Sequence, residues 1–240
     1  MQQELTKDER KALRQETERE KMERERKYHF WKIVALWSLA GMLLVLALWA
    51  LVAFSTGSTQ QTQDFKLPAV TQKDFQTNPN AKTVLVEYAD FQCPACKAYH
   101  PVVAQLESVY GTKLNVVYRM FPLKTIHQNA INSARAAYAA SRQNAFWPMH
   151  DKLFDQQDSW AALSDPESVF IKLAKDAGLN TDQFKKDYES SDSLVFVNTS
   201  YDNATAMGLN STPTFFLNGQ HIENPQSYDD FKKLIDSAMK

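Results

Sequence analysis

Phe91-Gln92-Cys93-Pro94-Ala95-Cys96-Lys97 holds the only two cysteines of the 240-residue chain, spaced C-x-x-C, so any sulfur chemistry must happen here. Immediately upstream, Thr83-Val84-Leu85-Val86-Glu87-Tyr88 is short, β-branched and apolar and predicts a buried strand. From Lys97 onward, Val102, Val103, Leu106 and Val109 recur at helical spacing. The cysteines are therefore expected on a strand-to-helix turn, with Cys93 near the N-cap and Pro94 in the first turn, where a missing N–H costs nothing. The unpaired N–H groups and positive dipole end of a helix start favour a thiolate. Such settings lower a thiol pKa from about 8.5 toward about 3.5–7.5. Cys96, one turn in, is expected to be more buried and to act as the resolving thiol. A structural zinc would need four ligands, and the scattered His29, His100, His127, His150 and His221 show no H-x-x-x-H pairing, so no metal is expected. The redox reading of the motif leads, with an inert buried pair as the bland alternative.

Outward from this centre, the chain is strongly segregated. A net charge of −1 and 44% hydrophobic residues describe an ordinary globular composition without a nucleic-acid footprint. Residues 1–32, however, carry ten Lys/Arg and eight Asp/Glu. Pairs such as Glu20–Arg24 and Glu23–Lys27 would support a solvated helix, and this arm is read as charged and soluble, without a function of its own. From Ile33 to Phe54, twenty-two residues pass without a charge. As a helix they would span about 33 Å, enough for a hydrocarbon core of about 30 Å. Tyr28, Phe30 and Trp31 at one end and Trp49 and Phe54 at the other resemble interfacial belts. Lys21, Arg24, Arg26, Lys27 and Lys32 precede the span, and the first basic residue after it is Lys66. The positive-inside rule then puts the N-terminus in the cytoplasm and the rest outside it. An uncleaved signal anchor fits the long preamble better than a cleavable signal peptide, for which Ala53-Phe54-Ser55 offers only a weak site. Residues 55–65 read as a flexible polar linker.

Residues 66–240 alternate strand and helix signals. Leu114 to Arg119 predicts a second strand, broken at Phe121-Pro122, and Ala130, Ala134, Ala137 and Tyr138 share one helix face. Ser164-Asp165-Pro166-Glu167 has the form of a capping box before a helix that stops at Gly178. Helices are expected from Thr181 and over Leu194 to Met207. Thr214 to Leu217, the turn Asn218-Gly219 and His221-Ile222 predict a hairpin, and a last helix starts at Ser227. The Ala and aromatic stripes are packing positions.

Three groups of residues then resemble one family. Val86-Glu87-Tyr88-Ala89-Asp90-Phe91-Gln92-Cys93-Pro94-Ala95-Cys96, Phe121-Pro122-Leu123 with His127 after it, and Ser211-Thr212-Pro213-Thr214-Phe215-Phe216-Leu217-Asn218-Gly219 are similar to the DsbA-type thiol-disulfide oxidoreductases of the thioredoxin superfamily, above all their membrane-anchored, BdbD-like members. The resemblance covers nearly all of residues 66–240. It implies an α/β thioredoxin fold with a helical insertion, here about residues 121–207. It also implies that Cys93 is the exposed attacking thiol, Cys96 the buried resolving one, and Thr212-Pro213 a cis-proline loop that, with Pro94 and Ala95, contacts substrate. The family carries an acid at Glu87, buried beneath the dithiol and able to exchange a proton with Cys96; an edge residue turned to solvent is the alternative. Lys97, His100 and Arg119 are taken to shape the local field without a catalytic role. Two departures stand out. Ala95 replaces the histidine of the best-known oxidase, and Ser211 a common glycine, which leaves the potential between about −270 and about −120 mV.

The function expected is a membrane-anchored, extracytoplasmic oxidoreductase that introduces disulfides into reduced secreted proteins. It would need no cofactor beyond Cys93 and Cys96 and would be reoxidised by a membrane quinone reductase of DsbB or VKOR type. A reductase or isomerase using the same residues, and a peptide-binding module with a permanent disulfide, are the rival expectations.

Overall fold

The computed structural model describes residues 7–56 and 65–240, which fall into two units, residues 1–62 and 63–240. The first unit is one helix, α1 (Lys7–Thr56), unbroken from the charged arm into the apolar span. Its stretch Lys21–Trp49 is long and apolar enough to cross a membrane. The helix takes in Ser55 and Thr56 of the expected linker, whose residues 57–64 lie outside the described residues.

The second unit is built on a sheet of β1 (Phe75–Gln76), β2 (Thr83–Ala89), β3 (Leu114–Met120), β4 (Thr214–Leu217) and β5 (Gln220–Ile222), in the order β1-β3-β2-β4-β5. β2 is central because it is apolar on both faces, so only a position with neighbours on all sides buries it fully. It runs parallel to β3 from Thr83↔Leu114 to Ala89↔Met120 and antiparallel to β4 from Leu85↔Leu217 to Tyr88↔Thr214. The parallel pair needs a crossover, supplied by α2 (Pro94–Tyr110), the helix that begins at the dithiol. Alternation along β2 sends Leu85 to a core shared with α2, Val103 and Leu106 included, while Val86 and Tyr88 join Val117 and Phe216 on the other face.

Between β3 and β4 lie α3 (Ala130–Ser141), α4 (Phe146–Asp155), α5 (Gln157–Trp160), α6 (Glu167–Asp176), α7 (Thr181–Glu189) and α8 (Ser191–Ala206), and α9 (Tyr228–Ala238) closes the chain. The alanines of α3 are all buried and let its neighbours approach closely. The expected capping box does not form. α6 starts only at Glu167, with Pro166 at its N-cap and no side-chain cap. The residue before a proline avoids helical backbone, which keeps Asp165 out of the helix; its carboxylate instead accepts from Glu167 N–H at 3.1 Å. Gly178 does end the helix, at φ 77°, with Leu179 N–H closing back on Ala174 C=O. The hairpin turn has both Asn218 (φ 49°) and Gly219 (φ 87°) in the left-handed region, as a two-residue turn matching strand twist requires. β1, only two residues long, carries no sequence pattern and was not expected.

Candidate active site

Cys93 is the N-cap of α2 in extended backbone (φ −70°, ψ 123°), and Pro94 sits in the first turn. Cys93 C=O accepts the first helical bond from Lys97 N–H at 3.1 Å, and Cys93 N–H donates back to Asp90 C=O at 3.0 Å. Both cysteines are free thiols. Cys96 is wholly buried; Cys93 is 7% exposed, less open than the sequence suggested, because the loop carrying Thr212 closes over it. Pro94 and Ala95 beside it are exposed. The Thr212–Pro213 bond is cis, and the Cys93 thiol donates to Thr212 C=O at 3.4 Å across 119 residues of sequence. The loop is itself tied down. Thr214 hydroxyl donates to Ser211 C=O at 2.8 Å and the Asn224 amide to Pro213 C=O at 2.8 Å.

The two thiols are driven apart electrically. A hydrogen bond from the Cys96 thiol leads in lowering the Cys93 pKa to about 5; a side-chain interaction with Thr212 and the backbone N–H groups of Cys96 and Ala95 add to it, against the opposing effect of burial. The Thr212 hydroxyl is buried without a partner, so once Cys93 loses the proton it shared with the carbonyl, this hydroxyl is free to turn toward the thiolate. Burial pushes Cys96 well above the ordinary thiol range, and Cys93 and Glu87 push it further. Glu87 is buried on β2, flanked in register by Tyr118 and Phe215. Desolvation first, then the Cys93 charge, raises its pKa to about 8. The solvent-facing edge position is thereby ruled out. The Tyr118 hydroxyl is buried without a partner and is pushed up by burial and then by Cys96 and Glu87.

A polar bracket missed by the sequence reading holds the loop before the helix. The Asp90 carboxylate, fully buried, accepts from Gln92 N–H (2.8 Å), Leu123 N–H (2.8 Å) and lies 2.7 Å from His127 Nδ1. That contact raises the His127 pKa. From α5, Gln157 Nε2 donates to Phe91 C=O (2.7 Å) and Cys93 C=O (3.1 Å), and Gln92 reaches Ala161 C=O at 2.7 Å. Asp90, Gln92 and His127 stood inside the family-like motifs, whereas Gln157, 64 residues from Cys93, carried no signal at all. Lys97 pairs with the exposed Asp158 at 2.7 Å and His100 lies 3.7 Å from Asp155. Arg119 points to the opposite face of the sheet, bonded to Asp74 and Tyr88, and does not touch the dithiol. The donor atoms of His100, His150 and Asp151 gather within 4.8 Å. Within this group His150 Nδ1 lies 2.9 Å from Asp151 Oδ1, and burial lowers the His150 pKa.

Known proteins share this fold. A thioredoxin family model matches residues 72–237. The structure is similar to α-DsbA1 of Wolbachia pipientis, with a TM-score of 0.63 and 20% identity over 75% of this chain and 96% of that one. It is also similar to oxidised BdbD of Bacillus subtilis, with a TM-score of 0.60 and 21% identity over 68% and 91%. Among curated sequences it is 37% identical over 151 residues to the Na(+)/H(+) antiporter NhaA 1 of Mycolicibacterium gilvum, which covers 61% of this chain. The chain spans about a quarter of the length of the curated relatives it matches. That name belongs to a far longer protein, and this chain has, among the described residues, one helix able to cross a membrane. The family model identifies the domain by sequence, and the likeness to the solved structures is one of fold. The chain belongs to the thioredoxin family, with the helical insertion of its DsbA-type members.

Proposed function

We propose that the domain oxidises pairs of thiols in extracytoplasmic protein substrates through the Cys93–Cys96 disulfide. The observation that carries this reading is the split between the sulfurs, one a thiolate at the helix start beneath the Thr212–Pro213 loop, the other protonated and sealed behind it. A substrate thiolate attacks Cys93 Sγ; the S–S bond breaks and its electron pair leaves on Cys96, which takes a proton. The second substrate thiol then attacks the sulfur bonded to Cys93, releasing the substrate disulfide and the Cys93 thiolate. A thiolate with a depressed pKa is the better leaving group, so this last step runs readily toward oxidised substrate. The exposed Pro94 and Ala95 and the backbone of Thr212-Pro213 form the docking edge for the substrate chain. The basic residues before the apolar span and their absence between it and Lys66 support an extracytoplasmic domain, where disulfides persist. The reduced dithiol would be returned to the disulfide by a membrane quinone reductase of DsbB or VKOR type.

The test is covalent capture. Cys96→Ala leaves an attacking thiol whose adducts have no internal release, so reductant-sensitive mixed disulfides with envelope proteins accumulate on non-reducing gels. Cys93→Ala captures none. The opposite pattern reverses the two roles, and capture by neither variant returns the domain to a binding module.

A further inference from the structure

His100, His150 and Asp151 take no part in the thiol chemistry, yet two helices bring their donor atoms within 4.8 Å of one another. His100 lies on α2, one turn beyond Cys96, and His150 and Asp151 are consecutive on α4. No local spacing announced the group, because neither helix carries both imidazoles. Packing holds both rings in place. His150 is buried against Phe91, Tyr118 and Trp147, with ring centroids 5.7, 4.9 and 5.0 Å away. His100 stacks on Phe154 at 5.2 Å and 24° and meets the His150 ring at 5.3 Å. The group is thus walled by aromatic rings toward the core, while Asp151 is exposed and opens it to solvent.

Two distances point to a ligand that these groups share. His150 Nδ1 and Asp151 Oδ1 are 2.9 Å apart, and two atoms that each stand about 2.0–2.2 Å from one zinc ion are themselves separated by roughly 3 Å. His100, with a side chain only 13% exposed, makes no hydrogen bond among the described residues; Asp155 Oδ1 lies 3.7 Å from its Nε2, beyond hydrogen-bond reach. A polar ring fixed by packing and left without a hydrogen bond calls for a partner. We propose that His100, His150 and Asp151 form a binding site for one divalent transition ion of the zinc class, held by two imidazole nitrogens and one carboxylate oxygen with a fourth position open to solvent. The ion sits between His150 Nδ1 and the carboxylate, and that imidazole keeps its one proton at Nε2. Nitrogen donors suit zinc, cobalt, nickel or copper, whereas calcium and magnesium need a fuller set of oxygens. The exposed Asp155 adds negative charge at the mouth. Because the ligands come from α2 and α4, a bound ion clamps the helical insertion to the redox helix.

The experiment titrates the full chain, oxidised and without an affinity tag, in detergent with Co²⁺. Oxidation matters because a reduced Cys93–Cys96 pair would itself bind the metal. One equivalent per chain should bind and give the intense visible absorption of four-coordinate cobalt. Excess Zn²⁺ should abolish that absorption and raise the thermal midpoint, as any ion that binds only the folded state does. Excess Ca²⁺ should do neither. His100→Ala and Asp151→Asn should each weaken Co²⁺ binding at least tenfold, the loss that even outer-shell partners of a metal produce. Three results overturn the proposal: only the faint absorption of six-coordinate cobalt, undiminished binding by both variants, or displacement of Co²⁺ by Ca²⁺. Asp151 is exposed, so Asp151→Asn keeps the test decisive if His100→Ala fails to fold.

Discussion

A single thiol sets the pH dependence of the reduced domain. Cys93 has a folded pKa of about 5, whereas in the unfolded chain it titrates at about 8.5. Between these values the unfolded state binds the proton and the folded state does not, so rising pH stabilises the reduced protein. The contribution is complete above the unfolded value and is lost as pH falls toward 5. Glu87 works the other way, since its raised pKa makes the folded state retain a proton that the unfolded state gives up from the ordinary carboxylate range upward. The desolvation that dominates its shift acts in both redox forms and cancels in their difference. Denaturant unfolding of reduced and oxidised protein should therefore show the reduced form gaining on the oxidised from pH 5 to 8, at a slope no greater than about 1.4 kcal/mol per pH unit for one proton. A gap that narrows with pH would contradict the thiolate assignment. The place of Cys93 at the helix start and the burial of Cys96 one turn in could be read from the sequence, because a helix start leaves its mark in local residue types. Tyr118 could not, because nothing local says that a strand tyrosine will face Cys96 from the neighbouring strand.

Among the elements, the short α5 is the one whose role is least visible in sequence and most direct in structure. Its Gln157 spans the backbone carbonyls on both sides of Gln92 and so fixes the entry into α2. Gln157→Leu takes this donor from the buried Phe91 C=O, while Cys93 C=O keeps Lys97 N–H, and should cost about 1–3 kcal/mol of stability. The Cys93 pKa should stay low, since the groups that depress it are Cys96, Thr212 and the first backbone amides of α2. Thiolate absorbance against pH, with unfolding on the same samples, separates the two effects; a large rise in the Cys93 pKa would show that α5 tunes the chemistry directly. Elements with a strong period, such as β2, α2 and the hairpin, were legible from their own residues. The start of α6 was not, because Pro166 outweighed a well-formed capping pattern, and β1 was not, because two residues hold no period.

For the molecule as a whole, the proposed extracytoplasmic placement of the domain predicts one sidedness. Protease added to intact spheroplasts should digest the region after residue 66 and spare the charged arm, as the basic residues at 21–32 require; a protected domain would sink both the sidedness and the oxidase direction. The thioredoxin-like architecture could be read at this scale because its motifs lie far apart yet agree, whereas the path taken by the helices of the insertion depended on contacts that no single stretch encodes. That same spacing puts the site in time as well as in space. Cys93 and the Thr212 carbonyl that meets it are separated by 119 residues, with the whole helical insertion between them. A chain that emerges N-terminus first therefore presents its dithiol well before it possesses the loop and the β4 strand that complete the pocket. Until that late strand docks beside β2, Cys93 lacks the Thr212 contribution to its acidity, and the nascent domain is a milder reagent than the finished one, its full reactivity postponed until the last part of the chain has arrived.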